Sequence, residues 1–162
     1  MLDLDKCIGC QACVTSCKER WDSGPAAARD WVMTFTHGDR ETGDLGVTFY
    51  PGMCNHCDDP TCAQVCPVQA TYKREDGIVL VDHHRCIGCR YCMQACPFRM
   101  TRYEWESPTP RVRKCILCHD RIVEGKQPGC TEACPTGALD PALTEINDAR
   151  MGLAVVVDQE AC

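Results

Sequence analysis

The chain has 162 residues and a formal net charge of −6, and only ten of its residues are aromatic. An acidic chain is a poor partner for nucleic acid, and so few aromatic residues predict a thin core for one or two small domains. The composition is unusual in its 17 cysteines, of which 16 stand in four blocks of four.

The first block lies close to the N-terminus. The residues before it have neither the basic nor the hydrophobic region of an export signal, so we expect no signal peptide in this chain. The block reads C-x-x-C-x-x-C-x-x-x-C, and the third block has the same spacing. This run binds a [4Fe–4S] cluster through three cysteines and lends the fourth to a second cluster. Four blocks of four therefore predict four [4Fe–4S] clusters. The blocks are Cys7, Cys10, Cys13, Cys17; Cys54, Cys57, Cys62, Cys66; Cys86, Cys89, Cys92, Cys96; and Cys115, Cys118, Cys130, Cys134.

Residues 18–53 form the longest stretch between the blocks. Residues 32–37 and 47–50 alternate between apolar and polar side chains, which predicts a β-hairpin with its turn at 39–46. The stretch also contains five aromatic residues. Two roles stay open for it: an insertion that covers the inner clusters, or a docking surface, since aromatic residues are enriched in interface cores.

Between the second and third blocks, Cys66-Pro67 ends one ligand loop and the apolar run 78–81 predicts a short strand that leads into the next. Residues 54–97 as a whole resemble a bacterial two-cluster ferredoxin. The resemblance implies crossed ligation, in which each cluster takes its fourth cysteine from the other block. The same crossing, applied to the first and fourth blocks, gives the outer pair of clusters. The implied ligand sets are Cys7, Cys10, Cys13, Cys134 for cluster 1; Cys17, Cys115, Cys118, Cys130 for cluster 2; Cys54, Cys57, Cys62, Cys96 for cluster 3; and Cys66, Cys86, Cys89, Cys92 for cluster 4.

Two blocks are irregular. Four residues separate the second and third cysteines of the second block, and eleven separate those of the fourth, where 120–124 reads as a helical turn. With the runs Cys54-Asn55-His56-Cys57 and 114–121, this pattern resembles the four-cluster iron–sulfur subunits of the dimethyl-sulfoxide-reductase superfamily over residues 2–140. In nitrate-reductase-type relatives a tryptophan replaces one ligand of the third block. Here Cys89 and Cys92 are both present, so we expect four complete cubanes.

The resemblance implies an α+β fold of two interleaved ferredoxin-like modules with loop-rich insertions. Residues 1–17 and 98–162 would form the outer module and 54–97 the inner one. It also implies a non-catalytic electron-transfer subunit that links a molybdopterin catalytic subunit, with molybdenum or tungsten, to a quinone-reactive membrane subunit or cytochrome. No apolar run approaches the roughly 18 residues of a membrane span, so membrane association is expected through partners.

Other interpretations remain. The main alternative is a soluble polyferredoxin subunit of a hydrogenase or formate dehydrogenase complex. A zinc-stapled interaction module is disfavoured because zinc modules usually separate two cysteine pairs by a dozen or more residues, and a redox sensor would not need four clusters. The odd cysteine count and the cluster spacing disfavour disulfides.

Two residues near the ligands are candidates for tuning the clusters. His56 lies inside the second ligand loop and could donate a hydrogen bond to cluster sulfur or contact neighbouring backbone. Lys114 directly precedes Cys115, where its charge could offset that of a cluster and raise the reduction potential.

The C-terminal residues 154–162 repeat the pattern of residues 78–86, and this repeat puts Cys162 where a further cysteine block would begin. We expect Cys162 not to be a ligand.

Overall fold

The computed structural model describes residues 2–21, 32–39, 41–105 and 107–139. The prediction about Cys162 and the repeat in the tail fall outside these ranges. Within them the chain forms five short helices and six strands, and this mixed content agrees with the predicted α+β class. The helices are α1 (Ala12–Arg20), α2 (Thr61–Gln64), α3 (Tyr91–Ala95), α4 (His119–Val123) and α5 (Gly129–Glu132). The strands are β1 (Val32–Asp39), β2 (Asp44–Pro51), β3 (Thr71–Lys73), β4 (Val79–Val81), β5 (Arg102–Tyr103) and β6 (Val112–Arg113).

The strands pair as three antiparallel two-stranded sheets, β1 with β2, β3 with β4 and β5 with β6. The predicted hairpin is confirmed as β1 and β2, whose register runs from Val32 opposite Pro51 to Asp39 opposite Asp44. Its strands are longer and its turn is tighter than the sequence pattern predicted. The predicted strand at 78–81 is β4, and the predicted helical turn at 120–124 is α4.

The two regularly spaced cysteine blocks have the same backbone geometry. In the first block, Gly9 and Gln11 have φ of 68° and 60°; in the third, Gly88 and Arg90 have φ of 69° and 66°. A helix begins immediately after each left-handed residue, α1 after Gln11 and α3 after Arg90. A left-handed non-glycine residue costs roughly 1–2 kcal/mol. Its recurrence at equivalent positions therefore indicates that the two blocks need this loop shape.

The N-terminal part of the chain lies against the end of the described region. Leu2 forms an isolated antiparallel bridge with Leu139, and the Asp3 N–H donates to the Ala138 carbonyl at 2.9 Å. Further on, the Ser16 hydroxyl of α1 donates to the Gly129 carbonyl at the start of α5, at 3.0 Å. The first and fourth cysteine blocks are therefore neighbours.

The apolar core is small. Its most deeply buried large side chains are Val79 on β4 and Val112 on β6, each 1% exposed. Of the helices in the described ranges, α1 alone exceeds five residues, and helices as short as the others are unstable alone. Much of the stability of the fold must therefore come from interactions other than apolar packing, and the cysteines are the candidates. The other buried apolar residues in the described ranges are Val14, Ala70, Ile78, Leu80, Cys92, Met100, Ala138 and Leu139.

Candidate iron–sulfur centres

Four cysteines from two different blocks line one small cavity beside the start of β4. Three belong to the second block, and the fourth is the last cysteine of the third block. Burial raises the pKa of the Cys62 thiol, and the neighbouring Cys54 and Cys96 thiols raise it further. The four are thus close enough for their charges to repel one another. They are Cys54, Cys57, Cys62 and Cys96.

A second small cavity has the reciprocal composition. Three of its cysteines belong to the third block and one is the last of the second block. Burial, together with smaller contributions from the nearby thiols, raises the pKa of Cys92 to about 11; these thiols belong to Cys62, Cys86, Cys89 and Cys66. The four cysteines that line this cavity are Cys66, Cys86, Cys89 and Cys92.

Cysteines of the first and fourth blocks line a larger cavity of about 300 Å³. The pKa of Cys130 is raised to about 12. Burial is the largest cause, and the nearby Cys115, Cys118 and Cys17 thiols contribute to the rise. The lining cysteines are Cys13, Cys17, Cys115, Cys118 and Cys130.

The remaining group is built on the first ligand loop. Burial raises the pKa of Cys13, and the Cys10 and Cys134 thiols contribute to the rise. Cys134, from the fourth block, is therefore near Cys13 of the first block. Cys7 is half-buried and Cys10 is exposed on the same loop, so this group is the one closest to solvent.

The crowding has a chemical consequence. Thiols whose pKa values are raised by burial and by one another would stay protonated on their own, whereas coordination to a metal centre deprotonates a thiol outright. Coordination to metal would therefore let these crowded sulfurs carry negative charge. Among the described residues no group of three His, Cys, Asp or Glu side chains is arranged to hold a single metal ion.

The Cys-Pro turns supply hydrogen bonds to sulfur. The Ala70 N–H donates to Cys66 Sγ at 3.2 Å, and the Met100 N–H donates to Cys96 Sγ at 3.4 Å. Burial works to raise the pKa of Cys66, but donors that include the backbone N–H groups of Thr71 and Ala70 outweigh it, so this pKa is lowered. Such donors stabilise thiolate and tune the potential of a bound cluster.

Cys134 resembles Cys66 in this respect. Burial acts to raise its pKa, yet the Leu139 N–H and the Thr136 hydroxyl, with further backbone donors, lower it overall. The residues three positions after the cysteine, Gln69, Arg99 and Gly137, all have positive φ. The left-handed residue turns the following N–H groups back toward the sulfur. The sequence analysis did not predict these hydrogen bonds to sulfur, and the repeated Cys-Pro dipeptide was the one feature of the sequence that could have indicated them.

His56 is fixed by backbone. Its Nδ1 accepts a hydrogen bond from the Val79 N–H at 3.0 Å, so the ring proton of the neutral imidazole is on Nε2. Burial and, to a smaller extent, the positive charge of Lys114 lower the His56 pKa to about 3. The buried Nε2 has no partner among the described atoms, and it is thus a donor available to cluster sulfur.

Lys114 follows β6 and is buried, with 6% of its surface exposed. Its Nζ donates to the carbonyl of Val79 and, at 2.8 Å, to the carbonyl of Cys115. The backbone of Val79 thus donates its N–H to His56 and accepts from Lys114 through its carbonyl. The side chain of Lys114 lines both the cavity that contains Cys54 and the larger one that contains Cys115.

The donor sets fit iron–sulfur clusters. Each small cavity is lined by four thiols, backbone N–H groups donate to two of the cysteine sulfurs, and the buried ammonium of Lys114 lines one of the two cavities. The four thiols of a cubane bind its four irons, one each, so a set of four is complete.

Comparison with known proteins agrees with this donor chemistry. A family model described as a 4Fe-4S dicluster domain matches residues 45–142, and another with the same description matches residues 6–70. One subunit of the tetrathionate reductase of Salmonella typhimurium is 40% identical over 159 residues, covering 98% of this chain and 62% of that protein. One polypeptide of the anaerobic dimethyl sulfoxide reductase of Escherichia coli is 42% identical over 146 residues, covering 86% of this chain and 70% of that protein.

This protein belongs to the family of iron–sulfur subunits of the dimethyl-sulfoxide-reductase superfamily. The predicted resemblance is confirmed, and with it the assignment to 4Fe–4S proteins of electron transport. The hydrogenase-2 operon protein HybA of Escherichia coli is also similar, at 36% identity over 162 residues, covering 86% of this chain and 49% of that protein.

This iron–sulfur subunit spans 62% and 70% of the length of the two reductase components that it matches. Among its described residues, no helix combines the length and the apolar character needed to cross a membrane.

Proposed function

We propose that the chain is a non-catalytic electron-transfer subunit carrying four [4Fe–4S] clusters. The observation that carries the proposal is the reciprocal composition of the two small cavities, where each holds three cysteines of one block and the last cysteine of the other. Two clusters bound in this crossed way lie side by side, which suits the passage of electrons between them. Bound clusters would supply reversible one-electron oxidation and reduction, and the chain supplies their spacing, burial and hydrogen bonds.

The outer pair is proposed on the same rule. Its support is electrostatic. The Cys134 thiol contributes to the raised pKa of Cys13, and the Cys17 thiol contributes to the raised pKa of Cys130. Each effect joins the first block to the fourth. The proposed ligands are Cys7, Cys10, Cys13, Cys134 for cluster 1; Cys17, Cys115, Cys118, Cys130 for cluster 2; Cys54, Cys57, Cys62, Cys96 for cluster 3; and Cys66, Cys86, Cys89, Cys92 for cluster 4.

We further propose that the two ferredoxin-like modules are interleaved, with residues 54–97 as the inner module and 1–17 plus 98–162 as the outer one. The bridge between Leu2 and Leu139 and the hydrogen bond between Ser16 and Gly129 support this arrangement. In this reading residues 18–53 are an insertion. Its hairpin exposes Phe35, Leu45 and Val47, which is consistent with a docking role.

For partners, we propose a molybdopterin catalytic subunit with molybdenum or tungsten at one end and a quinone-reactive membrane subunit or cytochrome at the other. The similarity to components of tetrathionate reductase and dimethyl sulfoxide reductase supports this proposal. Membrane association would then come from partners. A second candidate, an electron carrier of a hydrogenase or formate dehydrogenase complex, is favoured by the similarity to HybA.

Metal and sulfide analysis of the purified chain tests the central proposal. Four cubanes require about sixteen iron atoms and about sixteen acid-labile sulfides per chain. Zinc in place of iron, with no sulfide, would refute it. Co-purification with the partner subunit then separates the first candidate from a hydrogenase carrier: molybdenum or tungsten in the complex supports the first, and reduction of the clusters by hydrogen supports the hydrogenase carrier.

A further inference from the structure

Lys114 is a buried cation with no carboxylate to balance it in the described part of the chain. It is 6% exposed, and its Nζ contacts are the carbonyl oxygens of Val79 and Cys115. Burying an unpaired ammonium is costly even when its hydrogen bonds are made. Carbonyl groups satisfy its N–H donors but carry no net charge. The negative charge that balances Lys114 must therefore come from something else beside it.

Lys114 borders two cavities, each lined by a different group of cysteines. Lys114 lines the cavity formed by the proposed ligands of cluster 3, and it also lines the cavity that contains the proposed ligands of cluster 2. The hydrogen bond from Lys114 Nζ to the Cys115 carbonyl, at 2.8 Å, also holds the ammonium beside a proposed ligand of cluster 2. One charge thus acts on both groups.

The other lysine that immediately precedes a cysteine block is in a different environment. Lys6 precedes Cys7 as Lys114 precedes Cys115, but the Lys6 side chain is 59% exposed and pairs with Asp3 at 3.0 Å. Its charge is screened by water and by the carboxylate. Both lysines therefore stand next to a proposed ligand, but of the two only Lys114 is buried and borders two groups of cysteines.

We propose that Lys114 is a fixed positive charge shared by clusters 2 and 3, and that it raises the reduction potentials of both. The inference rests on the proposed function, since it needs a cluster in each cavity. Reduction adds negative charge to a cluster, so a neighbouring cation favours the reduced form. Because cluster 3 belongs to the inner pair and cluster 2 to the outer pair, an electron that passes between the pairs stays beside the same ammonium. A shared charge raises both potentials together and changes the difference between them little.

The test is a redox titration of the holoprotein followed by paramagnetic resonance. Lys114→Gln keeps a hydrogen-bond donor and removes the charge, Lys114→Arg keeps both, and Lys6→Gln is the control at the equivalent position. We expect Lys114→Gln to disfavour reduction of two clusters by at least tenfold, which is about 59 mV for a one-electron couple. Lys114→Arg should restore most of the shift, and Lys6→Gln should leave these two clusters unchanged.

Iron and sulfide content separates the two proposals. A wild-type chain without sulfide would refute the proposed function itself. If Lys114→Gln holds its full iron and the potentials do not move, or if one cluster alone shifts, the shared charge is refuted while the proposed function stands. If Lys114→Gln loses iron and Lys114→Arg retains it, the positive charge is needed to hold the clusters, which supports the inference. Loss of iron in both variants would assign Lys114 a packing role and overturn it.

Discussion

Gly9 offers a quantitative test of the ligand-loop geometry. Its φ is 68°, and a Cβ placed there would lie 2.6 Å from Cγ of Phe49, which comes from β2. Substitution by alanine therefore has two costs. The left-handed conformation costs a non-glycine residue about 1–2 kcal/mol, and overpacking against an aromatic ring adds about 1–3 kcal/mol. We expect Gly9→Ala to destabilise the holoprotein by about 2–5 kcal/mol.

Two other glycines calibrate this estimate. Gly43, in the hairpin turn, has φ 75° and nothing within 4 Å of the position of a Cβ, so Gly43→Ala should carry the conformational cost alone. Gly88 is the equivalent of Gly9 in the third block, and its Cβ would lie 3.1 Å from the Tyr103 hydroxyl, an intermediate case. The expected order of destabilisation is Gly43→Ala, then Gly88→Ala, then Gly9→Ala.

Loss of visible cluster absorption during heating or denaturant titration measures the order. Phe49→Leu combined with Gly9→Ala should recover part of the overpacking cost, because the smaller side chain can move away, while the left-handed cost remains. Equal effects of Gly9→Ala and Gly43→Ala would refute the reasoning, since they would mean that the hairpin does not pack on the first ligand loop.

Four further predictions follow from the proposed ligation and its surroundings. Cys66→Ser should impair the cluster whose other ligands are in the third block, and Cys96→Ser should impair the cluster whose other ligands are in the second block. Assigned paramagnetic resonance signals measure which cluster is lost, and they would show the reverse if each block held its own cluster. Cys162→Ser should leave iron content unchanged, because sixteen other cysteines satisfy four clusters, and a drop would identify it as a ligand. His56→Leu removes the acceptor of the buried Val79 N–H and should destabilise the holoprotein by about 1–3 kcal/mol in thermal melts, against a smaller effect of His37→Leu in the exposed hairpin. Chelating iron under oxidising conditions should abolish cooperative unfolding, whereas a compact apoprotein with a sharp transition would contradict the dependence of the fold on clusters.

Cysteine spacing carried most of what could be predicted, for a physical reason. Ligand loops must bring several sulfurs around one cluster within a few residues, so the spacing constrains the backbone directly. The hairpin, β4 and α4 were predictable because alternation and turn residues report local structure. The left-handed turns at Gln69 and Arg99 were not, since neither residue favours that conformation by itself and only the hydrogen bonds to cysteine sulfur explain it.

Lys114 and Lys6 show where sequence reasoning ends. Each precedes the first cysteine of a block, and nothing in their local sequence separates a buried charge from an exposed one. The difference arises from packing between distant segments: Lys114 reaches the carbonyl of Val79, 35 positions away, while Lys6 finds Asp3 within its own turn. His56 is similar, because its Nδ1 bond to the Val79 N–H depends on the approach of β4 to the second ligand loop.

The backbone of Val79 connects His56 and Lys114, and it links folding to the proposed electron transfer. Its N–H orients His56 and its carbonyl holds Lys114, so one buried strand positions both side chains next to the cysteines that are proposed to bind clusters 2 and 3. The sheet formed by β3 and β4 has only two strands of three residues, and such a sheet is marginal in water. Clusters on its flanks would hold it in place, and it in turn would hold the groups that tune them. Removing one cluster should therefore disturb the potential of its neighbour through Val79 as well as through charge.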